Sequence, residues 1–553
     1  MMTAGMRTPG TGTTGTVAWP QERADYYRRQ GHWSGERLDA IAAVHAAQTP
    51  DAIALVDAGE RVSYAELERR VAQLAAGFAA QGMRPGDRVL LQLPNRVSFV
   101  VSALALMRAG AVPVYLLPAH RISELSAIAA QADPVAYIGP AVHDGFDFRD
   151  MAAVLAQGIP GGLMVMVDGA PRTSQLELAA VARLGAVSPR PAPEVDTSDL
   201  ALLQLSGGTT GTPKLIPRSH DDYLFSVRQS VAVCRYNQDT VLLLVLPAAH
   251  NFPMSSPGFL GALLAGGRVV LAAHGAPELA FALIEAEQVT HVPLVPPLAL
   301  AWTRAAPNSK AALGSLDTIS VGGAKLGPGA AVELQRVLGV RLQQVFGMAE
   351  GLVCYTRGDD DAQMTATTQG RPMSADDEVL IVDDAGHPVA PGDPGHLLTR
   401  GPYTIRGYYK APEHNSTAFT DDGFYRTGDI ARQLPSGHLI VEGRSKDQIN
   451  RGGEKISAEE VEDHLLAHPN VFDAAMVAVP DRFLGEISCA VIVPDGAPPT
   501  RADIHAFIRG RGLAAHKIPD RVHIVAAFPV TGVGKNSRAE LRRTLKEQFS
   551  PAS

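Results

Sequence analysis

Between Leu205 and Lys214 the chain reads LSGGTTGTPK, a run dominated by glycine and hydroxyl residues and closed by a lysine. Glycine lets backbone N–H groups approach an anion, and hydroxyls and an ammonium add donors. Ser206, Gly207, Gly208, Thr209, Thr210, Gly211 and Lys214 therefore have the makings of a phosphate cradle. It is not a Walker A loop, because G-x-x-x-x-G-K-[ST] is absent. A Gly/Thr-rich stretch in isolation reads as a surface loop; following the apolar run Ala201 to Leu205, it reads as a loop at the end of a buried strand. Among the charged residues downstream are Glu350 in VFGMAEG, Asp429 in YRTGD, Arg444, and Lys535 in PVTGVGK, of which the two cations could serve the same anion. A carboxylate such as Asp429 can accept from both hydroxyls of a diol. Taken singly, Asp429 reads as a turn residue, Glu350 as a helix cap, and Arg444 and Lys535 as solvated side chains.

Something must hold these groups in place, and the surrounding pattern is that of an α/β protein. Apolar runs (VLLQLPN, VPVYLLP, VLLLVLP, RVVLAA, HVPLVPP) alternate with helical patterns such as Ser98 to Ala109. Strands separated by helices imply parallel βαβ units, and continuously apolar strands imply sheets buried on both faces. After Glu442-Gly443-Arg444 the chain turns polar (SKDQINRGGEK). The helix SAEEVEDHLLAHP follows, with Ser457 and Glu460 at capping-box spacing. Two short strands, DAAMVAVPD and ISCAVIVPD, and a helix from Ala502 to Gly510 complete a small α+β unit. The expected architecture is a large multi-layer N-terminal domain with parallel-rich sheets (19–445) and a small mobile C-terminal domain (446–553). A disordered tail (1–18) precedes them, or a misplaced start with Met6 as the true beginning.

The 553 residues carry a net charge of −8 with 46% hydrophobic and 19% charged residues, ordinary for a globular protein. That balance offers no basic field for nucleic acid or an anionic membrane. No apolar stretch approaches the ~20 residues that span a bilayer, and the N-terminus lacks a signal peptide's apolar run. Three cysteines, Cys234, Cys354 and Cys489, fit neither a zinc motif nor a disulfide framework. A reducing, cytoplasmic compartment is expected.

LSGGTTGTPK resembles the phosphate loop of the adenylate-forming superfamily, which includes acyl-CoA synthetases, peptide-synthetase adenylation domains and luciferases. VFGMAEG, YRTGD, GRSKDQINRGGEKI (Gly443 to Ile456) and PVTGVGK resemble that family's later motifs, in order. The resemblance implies an enzyme using ATP and Mg2+ to convert a carboxylic acid to an acyl-adenylate and pass the acyl group to a thiol. It implies nucleotide contacts at Phe346, Gly347, Met348, Asp429 and Arg444, with magnesium on Glu350. It also implies catalytic roles for Lys535 and His250, a hinge at Lys446, and a pantetheine channel beside Gly452 and Gly453. The chemistry suits these residue types. Carboxylate and ATP are both anions, so the site must neutralise charge and hold them in line. Lys214 can take the leaving phosphates, and Lys535 can span the attacking carboxylate and the α-phosphate.

HNFPMSSPG (His250 to Gly258) resembles the branch that activates 2,3-dihydroxybenzoate or salicylate. Amino-acid-activating relatives carry Asp where this chain has Asn251; a neutral amide suits a substrate lacking an α-ammonium. The implied acid pocket comprises Asn251, Phe252, Ser256, Ser320, Gly322, Val345, Val353 and Cys354. Ser256 and Val353 match the dihydroxybenzoate version, while Ser320 and Cys354 replace amides usual in the branch. The expected substrate is 2,3-dihydroxybenzoate, with 3-hydroxyanthranilate, 3-hydroxypicolinate and salicylate as alternatives. The expected acceptor is the phosphopantetheine thiol of a separate aryl carrier protein in siderophore or peptide biosynthesis, since the chain ends soon after PVTGVGK. Coenzyme A is the alternative acceptor. An inactive relative acting as a binding protein is opposed by the presence of Lys214, Glu350, Asp429 and Lys535.

Overall fold

The apolar runs assemble into two large, parallel-rich sheets. A computed structural model describes residues 15–206, 214–451, 454–481, 484–511, 513, 515–529 and 537–549. In the nine-stranded sheet, the strands Ile53–Asp57, Arg268–Leu271, Val241–Leu244, His291–Leu294, Thr318–Gly322 and Arg341–Gly347 lie side by side and parallel. Antiparallel strands close its edges: Glu60–Ser63 on one side, Val353–Tyr355 and Arg371–Pro372 on the other. The seven-stranded sheet is built around Val112–Tyr115, Arg88–Leu91, Ala136–Pro140 and Met164–Asp168, with the antiparallel hairpin Leu200–Leu205/Leu215–Ser219 at one edge. The helix Val97–Arg108 is apolar almost all round and buried on nearly every side, as expected of a helix packed within the core. One continuous hydrophobic core joins residues of both sheets to the helices between them.

A four-stranded antiparallel sheet (Glu378–Val382, Gly395–Arg400, Tyr425–Gln433, Leu439–Arg444) packs on the nine-stranded sheet through Leu352, Cys354, Ile381 and Leu397. From Arg444 the chain enters a 3-10 turn, Ser445–Asp447, and then a separate five-stranded sheet. That last sheet has its own core on each face, one under the helices Ala458–Leu465 and Arg501–Gly510, the other under Leu541 and Leu545 of the C-terminal helix Arg538–Phe549. The α/β class, the parallel-rich sheets and the small C-terminal α+β unit follow the sequence reading.

Two local expectations need correction. The C-terminal strands are not short: Val471–Asp481 and Gly485–Pro494 form a long antiparallel hairpin, because apolar residues on both faces let each strand serve two cores. The N-terminal tail is held from Gly15 onward rather than from residue 19. The Gly15 carbonyl accepts from Lys410 N–H, and Trp19 packs edge-on against Tyr27 and Trp33.

The small unit meets the large one through charge pairs. Lys325 Nζ lies 2.8 Å from Asp463, and Arg304 lies 2.7 Å from Asp495 with its guanidinium 3.7 Å from the Phe472 ring centroid. Ser457 caps its helix by accepting from Glu460 N–H, and its hydroxyl donates to the Glu442 carbonyl. The three cysteines are buried free thiols, all pushed up by burial, Cys489 to about 12. No helix among the described residues is long and apolar enough to cross a membrane.

Candidate active site

The edge hairpin of the seven-stranded sheet carries both ends of the Gly/Thr-rich loop. Ser206 N–H donates to the Lys214 carbonyl at 2.9 Å, and Lys214 N–H donates to Ser206 Oγ at 3.0 Å, so the loop leaves and returns through a closed neck. Gly207, Gly208, Thr209, Thr210 and Gly211 lie outside the described residues, as do Gly452, Gly453 and Lys535; the Lys446 backbone is in the Ser445–Asp447 turn. The Lys214 ammonium sits 5.6 Å from the centroid of the Tyr408 ring.

Glu350 follows the strand Arg341–Gly347 in a tight turn, Gly351 N–H donating to the Met348 carbonyl. A Cβ on Gly351 would come within 2.6 Å of Thr404, so this turn tolerates only glycine. The neighbouring Ala349 carbonyl accepts from Arg218, whose guanidinium is itself paired with buried Asp222 at 2.8 Å. The Glu350 carboxylate is buried, and its Oε1 accepts from the Tyr408 hydroxyl at 2.8 Å. Tyr408 in turn lies 2.9 Å from the Tyr425 hydroxyl. Burial, and next the Glu350 carboxylate, push both phenols up, so they stay neutral donors. A buried carboxylate held by a neutral phenol fits a hard divalent cation. No cluster of three or more His, Cys, Asp or Glu that could hold a metal occurs among the described residues. Glu350 is the residue here that would hold magnesium.

Asp429 lies on the four-stranded sheet directly opposite Arg444. Its N–H donates to Thr427 Oγ1, and Arg444 Nε approaches its carboxylate at 2.7 Å. Phe346 and Met348 pack toward this same sheet, which brings the nucleotide candidates together on one side of the strand Arg341–Gly347.

The acid-pocket candidates gather on the opposite face of that strand. His250 caps the short helix Asn251–Ser255 by accepting from Phe252 N–H. Asn251 Oδ1 accepts from the Tyr223 hydroxyl at 2.8 Å and from Ser255 Oγ at 3.3 Å. Phe252 lies so close to Gly322 that an added Cβ would sit 3.0 Å from its ring. Val345 and Val353 join the same core, and Val353 packs over Gly347. Ser256 is buried close to Tyr355, whose hydroxyl donates to Ser230 Oγ at 2.9 Å. Ser320 donates to Gln343 Oε1 at 3.2 Å, an oxygen that also takes the Cys234 thiol.

Cys354 is a correction. It sits between Val353 and Tyr355 on an extended strand, so its side chain points to the other face, into the core with Leu352, Ile381 and Leu397. It does not line the acid pocket. Tyr223, Ser230, Cys234, Gln343, Tyr355 and Tyr408 belong to the two clusters and were not singled out from sequence.

A family model described as AMP-binding enzyme matches residues 42–409, and one described as AMP-binding enzyme C-terminal domain matches 460–535. The 2,3-dihydroxybenzoate-AMP ligase of Bacillus subtilis is 52% identical over 535 residues, covering 97% of this chain and 98% of that protein. The salicyl-AMP ligase / salicyl-S-ArCP synthetase of Mycobacterium tuberculosis is 46% identical over 552 residues, covering 99% and 97%. Among solved structures, apo MbtA of Mycobacterium smegmatis superposes with a TM-score of 0.75 at 45% identity, covering 97% of this chain and 100% of that one.

Proposed function

From the premise that this chain belongs to the AMP-binding enzyme family, we propose that it activates an aryl acid bearing an ortho-hydroxyl, 2,3-dihydroxybenzoate first among them. It is an ATP-dependent adenylating ligase. The acid's carboxylate attacks the α-phosphorus of ATP, giving aryl-AMP and pyrophosphate. A thiol then attacks the activated carbonyl and AMP leaves. Relatives named for aryl acids, one of them for an aryl-S-carrier product, support the phosphopantetheine thiol of a carrier protein as acceptor, with coenzyme A as the alternative. ATP and a reduced thiol favour the cytoplasm.

The observation that carries the acid assignment is the orientation of Asn251. Its Oδ1 is taken by Tyr223 and Ser255, so its NH2 is the end turned to a ligand. An amide donor suits an acceptor ortho to the carboxylate. A phenolic oxygen or a ring nitrogen meets that need; an ortho-amino group, itself a donor, does not. This ranks 2,3-dihydroxybenzoate, salicylate and 3-hydroxypicolinate above 3-hydroxyanthranilate. Ser256, buried close to Tyr355, supplies a hydroxyl for a 3-position oxygen.

At the phosphate end, Lys214 and the loop N–H groups receive the pyrophosphate portion, Asp429 the ribose, and Lys535 the reacting α-phosphate. Bound on Glu350, magnesium would neutralise phosphate charge. The test is an ATP–pyrophosphate exchange screen across benzoates, aminobenzoates and picolinates. Highest kcat/KM for an ortho-hydroxy acid is expected; benzoate equal to the best acid would refute the pocket.

A further inference from the structure

We propose that Tyr408 is a positioning residue for the phosphate end of the site, aiming Glu350 at the nucleotide's divalent cation and keeping Lys214 beside it. This rests on the adenylating function above. Tyr408 is almost fully buried and touches three separate motifs at once. Its hydroxyl donates to Glu350 Oε1 at 2.8 Å, lies 2.9 Å from the Tyr425 hydroxyl, and its ring carries the Lys214 ammonium 5.6 Å from the centroid. The last distance is within cation–π range.

A phenol has one proton. Given to Glu350, it cannot also be given to Tyr425, so the chain of donors runs Tyr425 to Tyr408 to Glu350. The carboxylate is thereby made asymmetric: Oε1 is engaged and Oε2 is the oxygen turned to a cation. The Tyr408 phenol donates directly to the carboxylate, while Arg444 acts on it as a charge at longer range. Tyr408 is itself fixed from behind. Asn415, on the helix Pro412–Ala418, accepts from Tyr408 N–H at 2.8 Å and donates to the Tyr408 carbonyl at 3.0 Å. The Tyr408 ring also packs against His414 and Phe419. A side chain pinned at both backbone groups and spent on one proton donation is built to hold a ligand's geometry.

The experiment compares wild type with Tyr408→Phe, which keeps the ring over Lys214 and removes the proton. Binding of Mn2+ to the enzyme with a non-hydrolysable ATP analogue is read by electron paramagnetic resonance, and AMP binding without metal by calorimetry. Mn2+ affinity should fall by ~10-fold or more, the usual cost of losing a partner behind a metal ligand, while AMP affinity holds. Wild-type Mn2+ affinity in Tyr408→Phe, or an equal loss of AMP binding, would overturn the assignment. Should that variant not fold, Tyr425→Phe removes the proton given to Tyr408; it should weaken Mn2+ in the same direction, and no change overturns the proposal. A wild-type enzyme that bound no ATP analogue would instead overturn the function on which the proposal rests.

Discussion

Arg444 and Asp429 face each other across neighbouring antiparallel strands, the guanidinium Nε 2.7 Å from the carboxylate. Asp429 is buried, the Arg444 side chain half exposed, and Arg444 is the last residue before the turn into the C-terminal unit. The proposed ribose contact therefore adjoins the junction between the two units. Asp429→Asn keeps the shape and removes the charge. Charged hydrogen bonds contribute ~1.5–3 kcal/mol, so AMP affinity should drop by ~10-fold or more. Calorimetric titration of AMP checks this.

Lys535 is proposed to act where negative charge gathers at the α-phosphate. Lys535→Ala should slow aryl-AMP formation by ~10²-fold or more, as for loss of one preorganised donor to a developing charge. Thioester formation from preformed aryl-AMP should fall much less. Single-turnover measurement of the two half-reactions separates them, and equal losses would remove Lys535 from this role.

Tyr223 fixes the Asn251 amide, so Tyr223→Phe should blunt the preference for ortho-hydroxy acids without loss of ATP binding. Asn251→Asp should be more severe: a carboxylate beside an anionic acid is repelled and must also be desolvated, lowering kcat/KM for the acid by ~10²-fold or more. Competition among 2,3-dihydroxybenzoate, salicylate and benzoate in pyrophosphate exchange reads both.

Cys354 gives a test of the strand's facing. Because its side chain lies in the core with Leu352 and Leu397, Cys354→Ser should leave the ranking of aryl acids unchanged and cost ~1–3 kcal/mol of stability for a buried hydroxyl. A changed acid ranking with unchanged melting would put Cys354 back in the pocket.

Glu459 lies at the junction of the two units, its carboxyl raised to about 7 by burial, with Arg538 opposing that shift. A carboxyl whose folded pKa is raised holds its proton longer in the native state. Its contribution to stability is complete below the ordinary pKa of a glutamate and is lost as pH rises through about 7. Glu459→Gln should flatten the fall in melting temperature between acidic and neutral pH, measured in the same buffers for both proteins.

The motif residues could be singled out because each sits in a short local string whose composition suggests its chemistry, and the structure brings Lys214 and Glu350 together on Tyr408. Their holders were not. Tyr223 is far from Asn251 in sequence, and Tyr408 reaches Glu350 from 58 residues away; no local pattern encodes such pairings. Cys354 was misplaced for a smaller reason. The resemblance put it in the pocket, whereas a one-residue step along a strand reverses the side chain. The long C-terminal hairpin was underestimated because its polar and apolar positions serve two cores, which blurs the strand ends.

An enzyme that holds an acyl-adenylate holds a potent acylating agent, and any thiolate within reach would become its own unintended acceptor. Here every cysteine is interior, and the thiols at Cys234, Cys354 and Cys489 are all held in the protonated state by burial. The protein thus presents no exposed nucleophilic sulfur of its own to compete with an incoming acceptor. The same property makes the exterior a blank slate for thiol chemistry: one cysteine introduced at an exposed position of each unit would be the sole site of dye attachment, and fluorescence between the two would follow the units through a full turnover.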